Sequence, residues 1–119
     1  MRVLLPFAIG GLLLSRVSIA NAADPVLLAE TGASLLGNAQ RCGVPPERVV
    51  RAGRVIRDMI ASLSTEPSEK EVAGARFAIV FLSSAHPSPS AEPSIPACDV
   101  VVTQFERLER HHREAGFTD

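Results

Sequence analysis

A glutamate and a histidine near the carboxyl end of the chain are the residues whose types and spacing come closest to metal chemistry. Glu109 and His112 are three residues apart, so on a helix they would share a face and could supply two ligands. His111 and His112 are adjacent and would point about 100 degrees apart, so they cannot hold one ion together. No other histidine is close, since His86 falls in a proline-rich segment. We therefore expect no metal site. Instead of a metal ligand, we interpret His112 as a residue at the edge of a core.

Side chains that could carry covalent or acid–base catalysis are not arranged for it. The serines cluster in turn-forming segments, and none lies in the Gly-x-Ser-x-Gly motif of serine hydrolases. Glu66, Glu69 and Glu71 come close together, but they stand at a predicted helix start, where the helix dipole favours negative charge. The sequence therefore predicts a protein that is not an enzyme and has no catalytic residue and no cofactor.

Arginines recur every third residue in one segment, at Arg48, Arg51, Arg54 and Arg57. Residues three apart drift by about 60 degrees per step around a helix, so the four span about 180 degrees and form no tight anion-binding stripe. Arg51, Arg54 and Arg57 share the side opposite the apolar residues of the segment. This face is either solvated or a docking site for an acidic partner, and we take it as the candidate partner-binding face.

The first 22 residues resemble a secretory signal peptide in their pattern. Arg2 precedes a mostly apolar run from Val3 to Leu14, and Ala20-Asn21-Ala22 supplies the small residues before a cleavage site. The apolar run is shorter than the roughly 20 residues that span a membrane. We predict cleavage after Ala22, a chain without a permanent membrane anchor, and a periplasmic or secreted location. Arg16, between the apolar run and the cleavage site, leaves an uncleaved form as the alternative.

Composition limits what the exported part can do. Removing residues 1–22 takes Arg2 and Arg16 from the 12 basic residues and none from the 13 acidic ones, so the formal charge changes from −1 to −3. This balance argues against nucleic-acid binding. The chain has no Trp and no Tyr, so it lacks aromatic platforms for bases or sugars and its core must be aliphatic. Residues 23–119 suffice for one small domain.

Cys42 and Cys98 are the only cysteines. In an oxidising compartment an even pair is typical of a disulfide. Neither residue belongs to a Cys-x-x-Cys motif, which argues against thiol catalysis. The sequence predicts a bridge between Cys42 and Cys98, with two free buried thiols as the alternative.

Four helices are predicted in the exported part. Asp24-Pro25 begins the first, and Gly43 ends it. The second follows Pro45-Pro46 and places its apolar residues on one arc: Val49, Ala52, Val55, Ile56, Met59, Ile60 and Leu63. The third extends to Ser83, with Ser68 and Glu71 spaced as a capping box.

A loop over residues 84–97, rich in proline and serine, precedes the fourth helix, which begins near Cys98 and ends at Gly116. On the outer side of this helix Glu109 and Arg113 are spaced for an ion pair.

The apolar run Val72 to Leu82 is the strongest hydrophobic segment after the leader. Its last six residues could also form a strand, but no partner strand is evident and the flanks favour a helix. Apolar residues lie all around that helix, so we expect it to be buried on several faces and to stand at the centre of the fold.

The predicted fold is all-α, a small up-down-up-down four-helix bundle with one disulfide, preceded by a signal peptide. In that topology the end of the first helix and the start of the fourth lie at the same end of the bundle. Cys42 and Cys98 occupy those two positions.

The order Leu28-Ala29-Glu30, then Cys42-Gly43, then a second cysteine opening the last helix resembles a group of small exported bacterial helical proteins of unknown function. The chain departs from that group in lacking its aromatic residues in the first helix. The resemblance implies export and a disulfide, and no activity. The layout is also similar to small periplasmic acid-stress chaperones with one disulfide.

Two functions of different class fit these observations. The first is a non-enzymatic binding or accessory protein of the cell envelope, which engages another envelope protein through Arg51, Arg54 and Arg57 or through the proline-rich loop. The second is a periplasmic stress chaperone that exposes an aliphatic core conditionally. The first should capture a defined partner, and the second should suppress aggregation of unrelated proteins.

Overall fold

The computed structural model describes residues 24–90 and 95–114. These residues form four α-helices and no strand: α1 Pro25–Arg41, α2 Pro46–Leu63, α3 Pro67–Ala85 and α4 Cys98–Glu114. The all-α class, the four helices and the disulfide are thus confirmed. The predicted signal peptide, residues 91–94 of the predicted loop, and Gly116 lie outside the described residues. No helix in the described part is long and apolar enough to cross a bilayer.

The ends of α1 follow the rules from which they were predicted. The Asp24 carboxylate accepts a hydrogen bond from the backbone N–H of Val26 at 2.9 Å and caps the helix. At the other end Gly43 adopts a φ of 94°, a left-handed conformation that suits glycine. The N–H of Val44 then reaches back to the carbonyl oxygen of Ala39 at 3.0 Å. This is the Schellman pattern that satisfies the last carbonyls of a helix.

At the start of α3 the capping hydrogen bonds are made by a different pair of residues from the pair predicted. The side chains of Ser68 and Glu71 do not form the capping box. Instead the Glu69 carboxylate accepts hydrogen bonds from the backbone N–H of Thr65 at 2.7 Å and from its hydroxyl at 2.9 Å. These bonds lower the pKa of Glu69, the backbone bond being the larger cause. Because Pro67 fixes the first helical position, the side chain three residues beyond Glu66 is the one that reaches back.

The apolar run predicted to be buried on several faces is packed on one side only, and that prediction was wrong. Ala73 and Phe77 are buried, whereas Val72, Ile79 and Leu82 are more than half exposed. The central element is α1, which contacts each of the other three helices and contacts α3 most extensively.

Helix α1 lies at the centre because several small residues on its surface let the neighbouring helices come close. Ala29, Ala33 and Ala39 are completely buried. A Cβ atom on Gly37 would lie only 2.6 Å from the carbonyl oxygen of Phe81 on α3. Only glycine permits so close an approach of the two backbones. Bulky apolar side chains on α3 predicted a central position for that helix, but helices approach most closely where side chains are smallest.

Helices α1 and α2 are antiparallel where they contact each other. A Cβ on Gly32 would lie 3.0 Å from the Ile56 side chain, and one on Gly53 would lie 3.6 Å from the Leu36 side chain. Residue numbers therefore rise along α1 as they fall along α2. Toward α3 the numbers rise together, since Arg76 bonds Glu30 at 2.8 Å and Phe81 lies next to Gly37.

Helix α4 closes the core with Val101 and Phe105, both almost completely buried. Its start is bonded to the end of α1 by the Cys42–Cys98 disulfide, with Cα atoms 5.4 Å apart. The guanidinium of Arg41 strengthens this junction by donating to the carbonyl oxygen of Pro96 at 3.0 Å and to the Asn38 side chain at 3.0 Å. The two cysteines therefore meet where the sequence predicted.

Candidate functional site

A groove lies between α2 and α3, because both helices pack on α1 while touching each other along only a short stretch. Its volume is about 270 Å³. The side chains that line it are mostly apolar and come from three helices: Leu36 and Gln40 of α1, Val49, Val50 and Gly53 of α2, and Phe77 and Phe81 of α3, together with Arg54 and Arg57 of α2. We call this cleft the α2–α3 groove.

Two phenylalanines form the α3 side of the groove. Phe77 is buried and Phe81 half-buried. Their ring centroids are 6.4 Å apart, and the ring planes are parallel to within 3°. Residues four apart lie on one helix face, so the spacing could have revealed the pair. Both residues belong to the apolar run Val72 to Leu82, whose pattern predicts a core helix and does not mark them as site residues.

Two of the three arginines in the predicted face stand at this groove. Arg54 and Arg57 line it, and the Arg57 guanidinium lies 5.2 Å from the centroid of the Phe77 ring. This is the geometry of a cation–π contact. Arg51 is exposed on the same helix and does not line the groove. The groove thus combines an apolar floor with positive charge at its rim.

The first arginine of the series has a different role. Arg48 forms a two-point ion pair with Glu109 of α4, in which its Nε donates to Oε2 at 3.0 Å. The hydrogen bond to Glu109 is the main reason why the pKa of Arg48 is raised. The same guanidinium lies 5.5 Å from the centroid of the Phe105 ring. Arg48 therefore connects α2 to α4, and Glu109 bonds across to α2 where the sequence predicted a partner within its own helix.

The histidine considered for metal chemistry is buried at the edge of the core. Burial lowers the pKa of His112, the neighbouring positive charge of His111 lowers it further, and Glu109 opposes both. Glu109 is engaged by Arg48, so its carboxylate is not directed to an ion beside His112. Among residues 24–90 and 95–114, no group of three or more His, Cys, Asp or Glu side chains is placed to hold a metal ion.

Both cysteines of the described chain are bonded to each other, so neither offers a thiol for chemistry. No buried side-chain nitrogen or oxygen in the described part lacks a hydrogen-bond partner. The α2–α3 groove combines an apolar floor with two arginines, and we take it as the candidate site.

Comparison with known proteins finds no matching family model, no matching curated protein and no matching solved structure.

Proposed function

We propose that this chain is an exported, non-enzymatic binding or accessory protein of the cell envelope, which holds an acidic, apolar segment of another envelope protein in the α2–α3 groove. The observation that carries this proposal is the pairing of an apolar floor, Phe77 and Phe81, with a cationic rim, Arg54 and Arg57. An apolar anchor side chain would enter the cleft, and carboxylates beside it would meet the arginines.

The location and the finer architecture belong to the same proposal. Residues 1–22 would act as a cleaved signal peptide, and the helices would form an up-down-up-down bundle. The senses of the α1–α2 and α1–α3 contacts support that topology. The Cys42–Cys98 bridge is compatible with an oxidising compartment, which in bacteria means the periplasm or the exterior.

The α2–α3 groove measures about 270 Å³, near the lower end of the range of about 300–1,000 Å³ for drug-sized ligand sites. It has room for one or two anchor side chains of a protein segment. A peptide segment that places one or two apolar side chains in the cleft can make its remaining contacts with the exposed surface of α2, including Arg51.

The positive charge of the arginine rim gives the groove a preference for acidic segments of envelope proteins. The exported part carries a net charge of −3, as derived above from its 10 basic and 13 acidic residues. An acidic partner is repelled by the protein as a whole and attracted at the arginine rim. Such local complementarity orients a partner and makes the association sensitive to salt.

A crosslinking pull-down from the cell envelope tests the proposal. The informative variant is Arg54→Gln/Arg57→Gln, since Gln keeps helix propensity and removes the charge. A double variant on α4, Arg110→Gln/Arg113→Gln, removes the same charge from exposed positions away from the groove. Wild type and the α4 variant should capture the same discrete partner, and the groove variant should lose most of it. Equal capture by all three proteins would overturn the assignment of the groove.

The stress-chaperone function remains the alternative, and one observation favours it. Val72, Ile79 and Leu82 already expose apolar surface in the folded protein, where an unfolded client could bind. A chaperone of this kind would not need to release its aliphatic core, which is how the hypothesis differs from the one drawn from the sequence. An assay of aggregation with unrelated denatured proteins separates the two functions. A chaperone suppresses their aggregation at near-equal stoichiometry, and a partner-specific binding protein leaves it unchanged.

A further inference from the structure

Arg41, the last residue of α1, holds its guanidinium against one sulfur of the disulfide. Its Nη1 donates to the Sγ of Cys98 at 3.7 Å. The same guanidinium is fixed there by the Asn38 side chain, which accepts from Nη2 at 3.0 Å and from Nε at 3.2 Å, and by the carbonyl oxygen of Pro96 at 3.0 Å. Asn38 is buried, and its own amide donates to the carbonyl oxygen of Ser34 at 2.8 Å. A positive charge is therefore held in place beside Cys98.

Cys98 is also the first residue of α4, a helix of 17 residues. The first N–H groups of a helix have no carbonyl partner within it, and together with the helix dipole they favour negative charge at this end. Ala97 precedes the helix and has no side-chain oxygen to cap it. Asp99 opposes a second negative charge, but it is exposed, so solvent screens it. Helix α4 therefore adds to the guanidinium in stabilising a thiolate at Cys98.

The other sulfur of the bridge has a less favourable environment for negative charge. Cys42 caps the carboxyl end of α1, where the helix dipole disfavours an anion. The bridge reaches the surface, since Cys98 is exposed and Cys42 is only half-buried. In thiol–disulfide exchange the sulfur that carries negative charge more easily is the one that leaves. The leaving sulfur of this bridge is therefore that of Cys98.

We propose that the Cys42–Cys98 bridge is a redox-sensitive latch, opened by a dithiol reductant that attacks Cys42 and expels Cys98 as a thiolate. The attacking thiolate bonds to Cys42 Sγ, the bond between the two cysteines breaks, and its electron pair stays on Cys98 Sγ. The second thiol of the reductant then loses its proton and attacks the reductant's own sulfur in this mixed disulfide, which releases Cys42. The chain gains two electrons and the reductant becomes a disulfide. One proton of the reductant passes to Cys42 and the other to solvent, because Cys98 stays a thiolate.

Opening the latch frees the start of α4 and leaves the α2–α3 groove in place. The residues that line the groove belong to α1, α2 and α3. The second half of α4 remains attached through Phe105, which is completely buried, and through the ion pair of Arg48 with Glu109. The latch is therefore independent of the binding function proposed for the groove.

The pH dependence of alkylation tests the environment of the two sulfurs. Wild-type protein is reduced with a phosphine in the absence of denaturant and treated briefly with iodoacetamide, and peptide mass spectrometry quantifies each cysteine. We expect the Cys98 rate to reach half its maximum at about pH 7.5, and the Cys42 rate to do so at about pH 8.5, the ordinary value, or above. A more accessible sulfur changes the maximal rate and not the midpoint. Equal midpoints for the two cysteines would overturn the latch.

Arg41→Gln identifies the charge that is responsible. It should raise the Cys98 midpoint toward that of Cys42 and slow the reduction of the folded protein by dithiothreitol at pH 7 at least about threefold. Arg41→Lys keeps the charge and should keep most of the effect. Arg110→Gln removes an exposed arginine of α4 and should react as wild type does. An Arg41→Gln protein that is reduced as fast as wild type, or faster, would contradict the role of the guanidinium.

Glutathione, a monothiol, traps the first step. After brief treatment and acid quenching, mass spectrometry should find the glutathione adduct on Cys42, and an adduct mainly on Cys98 would reverse the assigned leaving sulfur and overturn the mechanism. Hydrogen exchange measures the result of opening. Backbone amides from Val101 to Phe105 should exchange faster in the reduced protein, whereas those from Val49 to Arg57 of α2 should keep their protection. Unchanged exchange in α4, or loss of protection in both helices, would show that the bridge is not a latch.

Discussion

The guanidinium of Arg57 lies 5.2 Å from the centroid of the Phe77 ring, so a positive charge stands over the apolar floor of the α2–α3 groove. The contact joins the candidate partner-binding face that the sequence predicted on α2 with residues of α3 that the sequence predicted to be core. The proposed recognition of an acidic, apolar segment rests on this junction, because both chemical features of such a segment would be met within one groove.

Removing the groove arginines should leave the fold nearly as stable as before. Arg54 and Arg57 are exposed, and the cation–π contact of Arg57 is worth about 0.5–1 kcal/mol. We expect Arg54→Gln/Arg57→Gln to lower the free energy of unfolding by no more than about 1 kcal/mol, a fall in Tm of roughly 4–8 °C for a domain of this size. Thermal melting followed by circular dichroism measures it. A variant that unfolds would show that these arginines support the helix packing.

A Gly→Ala substitution should lower the free energy of unfolding at Gly37 and raise it at Gly74. At Gly37 a new Cβ would meet the backbone of α3 at 2.6 Å, so Gly37→Ala should lower the free energy of unfolding by about 1–3 kcal/mol. At Gly74, inside α3, nothing lies within 4 Å of the new atom. Gly74→Ala should therefore stabilise by roughly 0.5–1 kcal/mol through helix propensity. Urea denaturation of the two variants measures both effects, and equal responses would contradict the close approach of α1 and α3.

The disulfide should contribute a large part of the stability. Cys42 and Cys98 are 56 residues apart, and in the chain-entropy model closing such a loop is worth about 4 kcal/mol. Cys42→Ser/Cys98→Ser should lose free energy of unfolding of that order in urea denaturation. Thiol labelling of the wild type without reductant should give no signal even after denaturation. Labelling of both cysteines under that condition would show that the bridge does not form.

His112 should make stability depend on pH in a narrow window. Its folded pKa lies below the ordinary value of 6.5, because burial and the charge of His111 disfavour the protonated ring while Glu109 favours it. The unfolded chain therefore takes up the proton first. The neutral, buried His112 ring makes its full contribution to the free energy of unfolding above pH 6.5. That contribution is lost as the pH falls from there through the folded pKa.

Wild type should accordingly lose more Tm than His112→Gln between about pH 7.5 and 5.5, a range that stays above the ordinary titration of carboxylates. Differential scanning calorimetry at matched ionic strength measures the difference. An identical pH profile for the two proteins would exclude His112 as the responsible group.

Local chemistry made much of the fold predictable from the sequence. Asp24 before Pro25 and Gly43 after a helical segment act within a few residues of themselves, so the ends of α1 are where the sequence placed them. The cysteine pair was predictable because the predicted export and the predicted helix order both indicated a bridge. The central position of α1 was not, because it depends on what Ala29, Ala33 and Gly37 allow neighbouring helices to do.

Only the α2 side of the candidate site, with its arginines, was predictable from the sequence. The phase of α2 identified Arg54 and Arg57 as an exposed face. Their nearness to Phe77 and Phe81 depends on how α2 and α3 pack on α1, a long-range relationship that helix periodicity does not contain. For the same reason the sequence paired Glu109 within its own helix, whereas the structure pairs it with Arg48.

Site-specific photocrosslinking in living cells shows whether a partner binds in the α2–α3 groove. A photoreactive phenylalanine analogue would replace Val50, which lines the α2–α3 groove and is 55% exposed, and in a control chain Val100, which is 49% exposed on α4. We expect an adduct of one discrete mass from position 50, lost when Arg54→Gln/Arg57→Gln is added, and no such adduct from position 100. The absence of an adduct at position 50, or the same adduct from both positions, would contradict it.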